Sequence, residues 1–232
     1  MKVWLELWEN TELNQTDFDN CAFTHAHYKS CLEFALEDGY TFKRMKDASS
    51  DDKSGKTILM RHDEDMSLPA MCALAQIEGE LGIQSTLFIR LHANNYNLLA
   101  IESYTSLTEL LEMGHEIGFH YELHCHPGLS SREEEIFQKS KSLLESILDT
   151  SITGMSYHEP TRFLDKDEKR SLPSGIEYEA YDDRFMENYK YISDSSAHWR
   201  EGCMCQHIGK EENLYILTHG FWWYNKSPVE NY

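Results

Sequence analysis

The sequence predicts an α/β fold of the (β/α) barrel kind, on three observations. Short β-prone runs alternate with helical patterns along the chain, as parallel strands joined by crossover helices do. Residues able to do chemistry stand just past the C-terminal end of one run after another, where a barrel builds its active site. Those residues are almost all His and Asp, whereas ordinary loops bring Ser, Asn and Lys.

The elements follow in order. Tyr28, Cys31, Leu32 and Ala35 recur at helical spacing, and Gly39 is a stop. Residues 47–56 are polar and turn-rich, a surface loop. The apolar run Thr57–Met60 ends in Arg61-His62-Asp63-Glu64-Asp65. Ser67 caps a helix with Pro69 in its first turn, a stripe of Met71, Leu74 and Ala75, and Gly82 as its end. The run Thr86–Ile89 leads to His92. Leu107, Leu110 and Leu111 mark a helix that stops at Gly114, and the run Ile117–Phe119 leads to His120. Ser131 and Glu134 form a capping-box signal that opens an amphipathic helix through Ile136, Phe137, Leu143, Leu144, Ile147 and Leu148. Runs at 152–155, 189–192 and 215–217 lead to His158, Asp194 and His219.

A formal net charge of −19 disfavours nucleic acid and anionic membrane as partners, since both require basic patches. With 41% hydrophobic and 12% aromatic residues, the chain can bury a sizeable core. Residues Met1–Asn10 do not read as a signal peptide, because the apolar part is short and broken by Glu6. No stretch is apolar for long enough to span a bilayer, so the expected location is cytoplasmic. The six cysteines then read as reduced thiols. Cys203-Met204-Cys205 has the wrong spacing for a zinc knuckle, and Cys125 reads as a bystander beside a loop.

Asp63 and Asp65 repel each other, and the usual remedies are a metal ion or a raised pKa on one of them. His120 and His124 are four apart, which on a helical turn puts both imidazoles on one face. One carboxylate and two histidines with open positions left for water make a common catalytic metal set.

Taken in order, these motifs resemble the polysaccharide deacetylase superfamily, whose members share a chitooligosaccharide-deacetylase-like domain on a distorted (β/α) barrel. His62-Asp63-Glu64-Asp65 is similar to a branch with one residue between the two aspartates, and Gly114-His115-Glu116-Ile117-Gly118-Phe119-His120 to the family's GHEIGxH. Ser156–Pro160 resembles its third motif, Tyr191–Ser195 with Trp199 and Arg200 its fourth, Leu217-Thr218-His219 its last, and Trp222-Trp223 its aromatic tail. The resemblance implies a single deacetylase-like barrel over residues 1–232, with residues 1–56 as an N-terminal helical extension packed on it.

It also implies roles. Asp65, His120 and His124 would bind a divalent metal, for which zinc fits the N/O ligand set. Asp63 would be the general base, His219 the general acid that protonates the departing amine, and Asp194 would orient His219. His158, Arg162, Trp199 and Trp222 would meet the substrate, with the tryptophans equally suited to the barrel core. The chain departs from the pattern at Tyr121, at Cys125, and at His158, where the third motif usually has an arginine that holds the base. Glu122 or His126 is an alternative ligand, and Arg61 or Arg162 an alternative partner for the base. The implied activity is removal of an N-acetyl group from a sugar, a small-molecule or oligosaccharide precursor of a surface polysaccharide. A cyclic amide hydrolase and a non-catalytic metal- and sugar-binding barrel are the alternatives.

Overall fold

Strand β2 (Thr57–Glu64) organises the molecule and is buried along its whole length. The computed structural model describes residues 21–48, 55–122, 127–163 and 171–231. The other strands are β1 (Thr41–Lys43), β3 (Thr86–Ile89), β4 (Glu116–Tyr121), β5 (Gly154–Tyr157), β6 (Tyr178–Glu179), β7 (Lys190–Ser193) and β8 (Asn213–Thr218). All pairings are parallel, and the eight-stranded sheet runs β6-β5-β4-β3-β2-β8-β7. β8 takes one edge of β2, so β1 and β3 share the other, at residues 57–59 and 61–64.

The helices are α1 (His25–Glu37), α2 (Leu68–Glu80), α3 (Ile101–Glu112), α4 (Glu133–Leu148) and two single turns, α5 (Pro160–Phe163) and α6 (Asp183–Met186). Thr24 caps α1 and Ser67 caps α2, each by accepting a backbone N–H of the first turn. The capping box expected at Ser131 is absent. A 3₁₀ turn spans Pro127–Arg132, α4 starts at Glu133, and its N-cap is Arg132 with no side-chain bond. Three glutamates in the first turn complement the helix dipole there instead.

The curled parallel sheet with helices on its outside is the expected barrel architecture, incompletely closed. β6 and β7 end the sheet, and the rings of Tyr181 and Tyr191, meeting edge to face with centroids 6.2 Å apart, stand where a further ladder would close it. Residues alternate between the two sides of each strand. On β2, Ile58 and Met60 join the outer cluster under α1 and α2, whereas Leu59 points inward to Met45, Phe88, Tyr178, Phe185 and Tyr215. On β4 and β5, Ile117, Phe119 and Met155 face outward under α3 and α4. Their inward neighbours include Gly118 and Gly154, where any side chain would force the ring opposite to shift. A Cβ on Gly118 would lie 2.4 Å from the Phe88 ring, and one on Gly154 2.1 Å from that of Tyr178. The interior is thus packed with aromatic rings and cannot be a channel.

The strands run further than the apolar runs indicated. β2 continues through Glu64 and β4 through Tyr121, so Asp63 and His120 stand within strands. His120 is therefore not on a helical turn. Its burial on both faces of the sheet favours extended backbone over the local spacing to His124. Within residues 1–56, Thr41–Lys43 extends the sheet and so adds a strand to the expected helical segment. Residues 49–54 of the expected loop, and Met1–Asn10, lie outside the described residues.

Candidate active site

The inward alternation that fills the barrel with rings turns polar at its C-terminal end. Arg61, Asp63 and Asp65 continue the inward series from Leu59; His120 follows Gly118; Ser156 and His158 follow Gly154; His219 follows Tyr215 and Leu217. Strand periodicity thus delivers the site residues to one place.

Asp65, His120 and His158 form its centre. Asp65 Oδ1 lies 3.1 Å from His120 Nε2 and 3.0 Å from His158 Nδ1, and the two nitrogens are 3.3 Å apart. Bonds of about 2.0–2.1 Å from one tetrahedral metal would set such atoms about 3.3 Å apart, so the triangle has the size a metal ion requires. His120 Nδ1 sits 3.1 Å from the carbonyl oxygen of Ser156. A carbonyl only accepts, so Nδ1 carries a proton, and Nε2 is the nitrogen turned toward Asp65. An imidazole oriented in this way offers Nε2 to a metal. Burial acts to raise the Asp65 carboxyl's pKa, but hydrogen bonds from His120 and His158 hold it well below the usual range.

On one side of this centre stands Asp63. Arg61, fully buried, grips it with two bonds, Nε to Oδ1 at 2.8 Å and Nη2 to Oδ2 at 2.6 Å. The guanidinium also donates to Tyr215 (2.8 Å) and Ser156 (2.5 Å), with the Tyr181 ring 4.5 Å away. Burial pushes the Asp63 pKa up, but the charge and hydrogen bonds of Arg61, together with His120 and His219 nearby, outweigh it and keep the carboxyl below its ordinary value. Of the two alternative partners for this aspartate, Arg61 is in contact with it, and the side chain of Arg162 lies outside the described residues.

On the other side stands His219. Its Nδ1 donates to Asp194 Oδ1 at 2.6 Å, and Asp194 Oδ2 accepts from the His219 backbone N–H (3.0 Å) and from Trp223 Nε1 (2.9 Å). His219 Nε2 faces the centre, 3.9 Å from Asp65 Oδ2. Burial lowers its pKa, but Asp194, then Asp65 and Asp63, raise it to about 9.

The remaining residues are placed as follows. His124, Cys125 and His126 lie outside the described residues, as does the side chain of Arg162 on α5. Glu122 is engaged elsewhere, accepting from Arg90 Nε at 2.6 Å and from the backbone N–H of His92 at 3.0 Å. His62 points outward to Glu78 (2.9 Å) and Thr218 (2.7 Å). Glu64 is buried, which with the nearby Asp65 charge raises its pKa to about 8. Trp223 belongs to the outer cluster and donates to Asp194 at the site, and Trp199 and Trp222 pack, partly buried, against the same cluster. Sequence reasoning missed Ser156 and Tyr215 as partners of Arg61. Their inward parity, two residues before His158 and four before His219, was the available signal.

No family model and no curated protein matches the chain. Its fold is similar to that of several solved structures. IcaB from Ammonifex degensii is 17% identical with a TM-score of 0.45, over 56% of this chain and 64% of that one. A mutant of BA3943, a CE4 family pseudoenzyme with restored enzymatic activity, is 14% identical with a TM-score of 0.45, over 75% and 62%. The Streptococcus pyogenes deacetylase PplD in complex with acetate is 17% identical with a TM-score of 0.44, over 82% and 80%. The chain therefore spans 64% and 62% of the length of the first two.

Proposed function

We propose that the chain is a metal-dependent hydrolase that removes an N-acetyl group from a sugar, acting on a small or oligosaccharide precursor of a surface polysaccharide. One observation carries this reading. A triangle of metal-ligand size is flanked by an arginine-held carboxylate and by a carboxylate-held histidine.

Asp65, His120 and His158 would hold the metal, with His124 as a further ligand. The ion supplies Lewis acidity toward the amide carbonyl and makes water a better nucleophile at neutral pH. The protein's own groups handle the protons. Asp63, kept ionised by Arg61, accepts the proton of the attacking water. His219, protonated at neutral pH and aimed by Asp194, donates from Nε2 to the departing nitrogen. An amine leaves and acetate remains, so water is fully accounted for. Arg162, Trp199 and Trp222 remain the proposed sugar contacts.

The test is acetate release from a panel of N-acetylhexosamine derivatives by metal-loaded protein, against an Asp63→Asn variant. Release by the wild type and its loss in the variant support the reading. Wild-type protein that binds metal and releases no acetate from any of them overturns it, and turnover of hydantoins or allantoin instead favours a cyclic amide hydrolase.

A further inference from the structure

A second group of metal-ligating side chains lies away from the catalytic centre. Cys21 and His27 come from the start of the described chain, and Cys203 and Cys205 from the connection between β7 and β8. Their ligand atoms all lie within 4.8 Å of one another. Cys21 Sγ is 3.6 Å from Cys205 Sγ, and His27 Nε2 is 3.2 Å from Cys203 Sγ. A tetrahedral zinc ion with Zn–S bonds of about 2.3 Å and Zn–N bonds of about 2.0–2.1 Å has S···S edges of about 3.8 Å and S···N edges of about 3.5 Å. Both measured edges are close to these values.

Local structure holds the donors in place. Thr24 caps α1 by accepting from the backbone N–H of His27 at 3.1 Å, which fixes His27 on the first turn with its side chain buried. Cys203 is the buried N-cap of the 3₁₀ turn Met204–Gln206, which carries Cys205. Cys21, Cys31, Cys203 and Cys205 are all thiols and none is in a disulfide. Cys31, one helical turn beyond His27, has its Sγ 3.6 Å from the same Nε2 but falls outside the set of ligand atoms that all lie within 4.8 Å of one another.

We infer that Cys21, His27, Cys203 and Cys205 form a structural zinc site. Three thiolates and one imidazole fill all four positions, so the site is closed and does no chemistry. Binding releases the thiol protons to solvent and changes no oxidation state. The ion would tie the segment before α1 to the β7–β8 connection, 176 or more residues away in sequence. The tied segment also pairs with the C-terminal tail, through His25 N to Tyr224 O and Tyr224 N to Phe23 O, both at 2.9 Å. Tyr224 follows Trp223, which holds Asp194, so the clasp braces the wall behind His219.

The test titrates the metal-free, reduced full chain anaerobically with cobalt(II). The expected result is one equivalent giving thiolate-to-cobalt charge-transfer absorption together with the intense visible bands of tetrahedral cobalt, bleached by zinc. A Cys203→Ser/Cys205→Ser variant should lose the charge-transfer absorption, and a Cys31→Ser variant and a His120→Ala variant should keep it. Zinc content of the reduced wild type should fall by one equivalent on treatment with a mercurial thiol reagent. Absence of the charge-transfer absorption in the wild type overturns the inference, and that result needs no variant to fold. Its persistence in the double variant, its loss in Cys31→Ser, or a Cys21–Cys205 disulfide in chain purified under reductant also overturns it.

Discussion

Arg61 grips Asp63 two residues ahead of it on the same face of the same strand, Nε to Oδ1 at 2.8 Å and Nη2 to Oδ2 at 2.6 Å. Positions i and i+2 of a strand point the same way, so a short stretch of β2 supplies both a carboxylate and the cation that keeps it charged. Replacing Arg61 by Met leaves that carboxylate buried and unpaired. We predict a loss of about 3–5 kcal/mol in stability, as for other broken buried ion pairs, read as a lower denaturant midpoint. Arg61→Lys keeps the charge and loses the two-point grip. Its expected effect is a fall in kcat of roughly a hundredfold, the cost of a misplaced catalytic group, with metal content unchanged.

Asp194 raises the pKa of His219, and the sign of the effect on activity follows. A general acid must be protonated, so activity should fall as pH rises through about 9. A cation on Asp65 offsets that residue's share of the shift, so about 9 is the upper bound for this limb. In Asp194→Asn the limb should move down toward the ordinary histidine value of about 6.5. The pH–rate profiles of wild type and variant decide it, and an unmoved limb would remove His219 from the proposed role. The same shift makes His219 stabilising below about 6.5, with that contribution lost as pH rises through about 9.

His158 stands in the triangle with Asp65 and His120. His158→Ala should weaken metal binding at least roughly a hundredfold, the upper end of what outer-shell partners cost. Competition with a chromophoric chelator measures it. Affinity equal to wild type would return His158 to a substrate contact.

Gly118 lies against Phe88 in the barrel, where an added Cβ would sit 2.4 Å from the ring. Gly118→Ala should cost about 1–3 kcal/mol, the usual penalty of overpacking. A Phe88→Leu change in the same chain should recover part of it. Thermal denaturation of the single and double variants checks both.

Much of this was legible in the chain. Strand–helix alternation and the His and Asp residues after each run gave the parallel barrel and located Asp65, His158, Asp194 and His219 at strand ends. The helical turn expected from the spacing of His120 and His124 is not found at His120, because β4 is extended through Tyr121, and His124 lies outside the described residues. Strand parity was present in the letters, yet its use depends on knowing where each strand begins and ends. That is why Ser156 and Tyr215 escaped notice. Contacts such as Cys21 with Cys205 are set by how the whole sheet curls, and local pattern does not encode them.

The seam between β6 and β7 gives the barrel a place to absorb change. Everywhere else in the sheet a hydrogen-bonded ladder fixes which residue faces which, and a one-residue slip would turn side chains inside out. At the seam the neighbours are the rings of Tyr181 and Tyr191, which meet without a fixed register. Insertions and deletions in the connections that flank it can therefore accumulate among descendants of this chain while the inward series on β2, β4, β5 and β8 stays in phase.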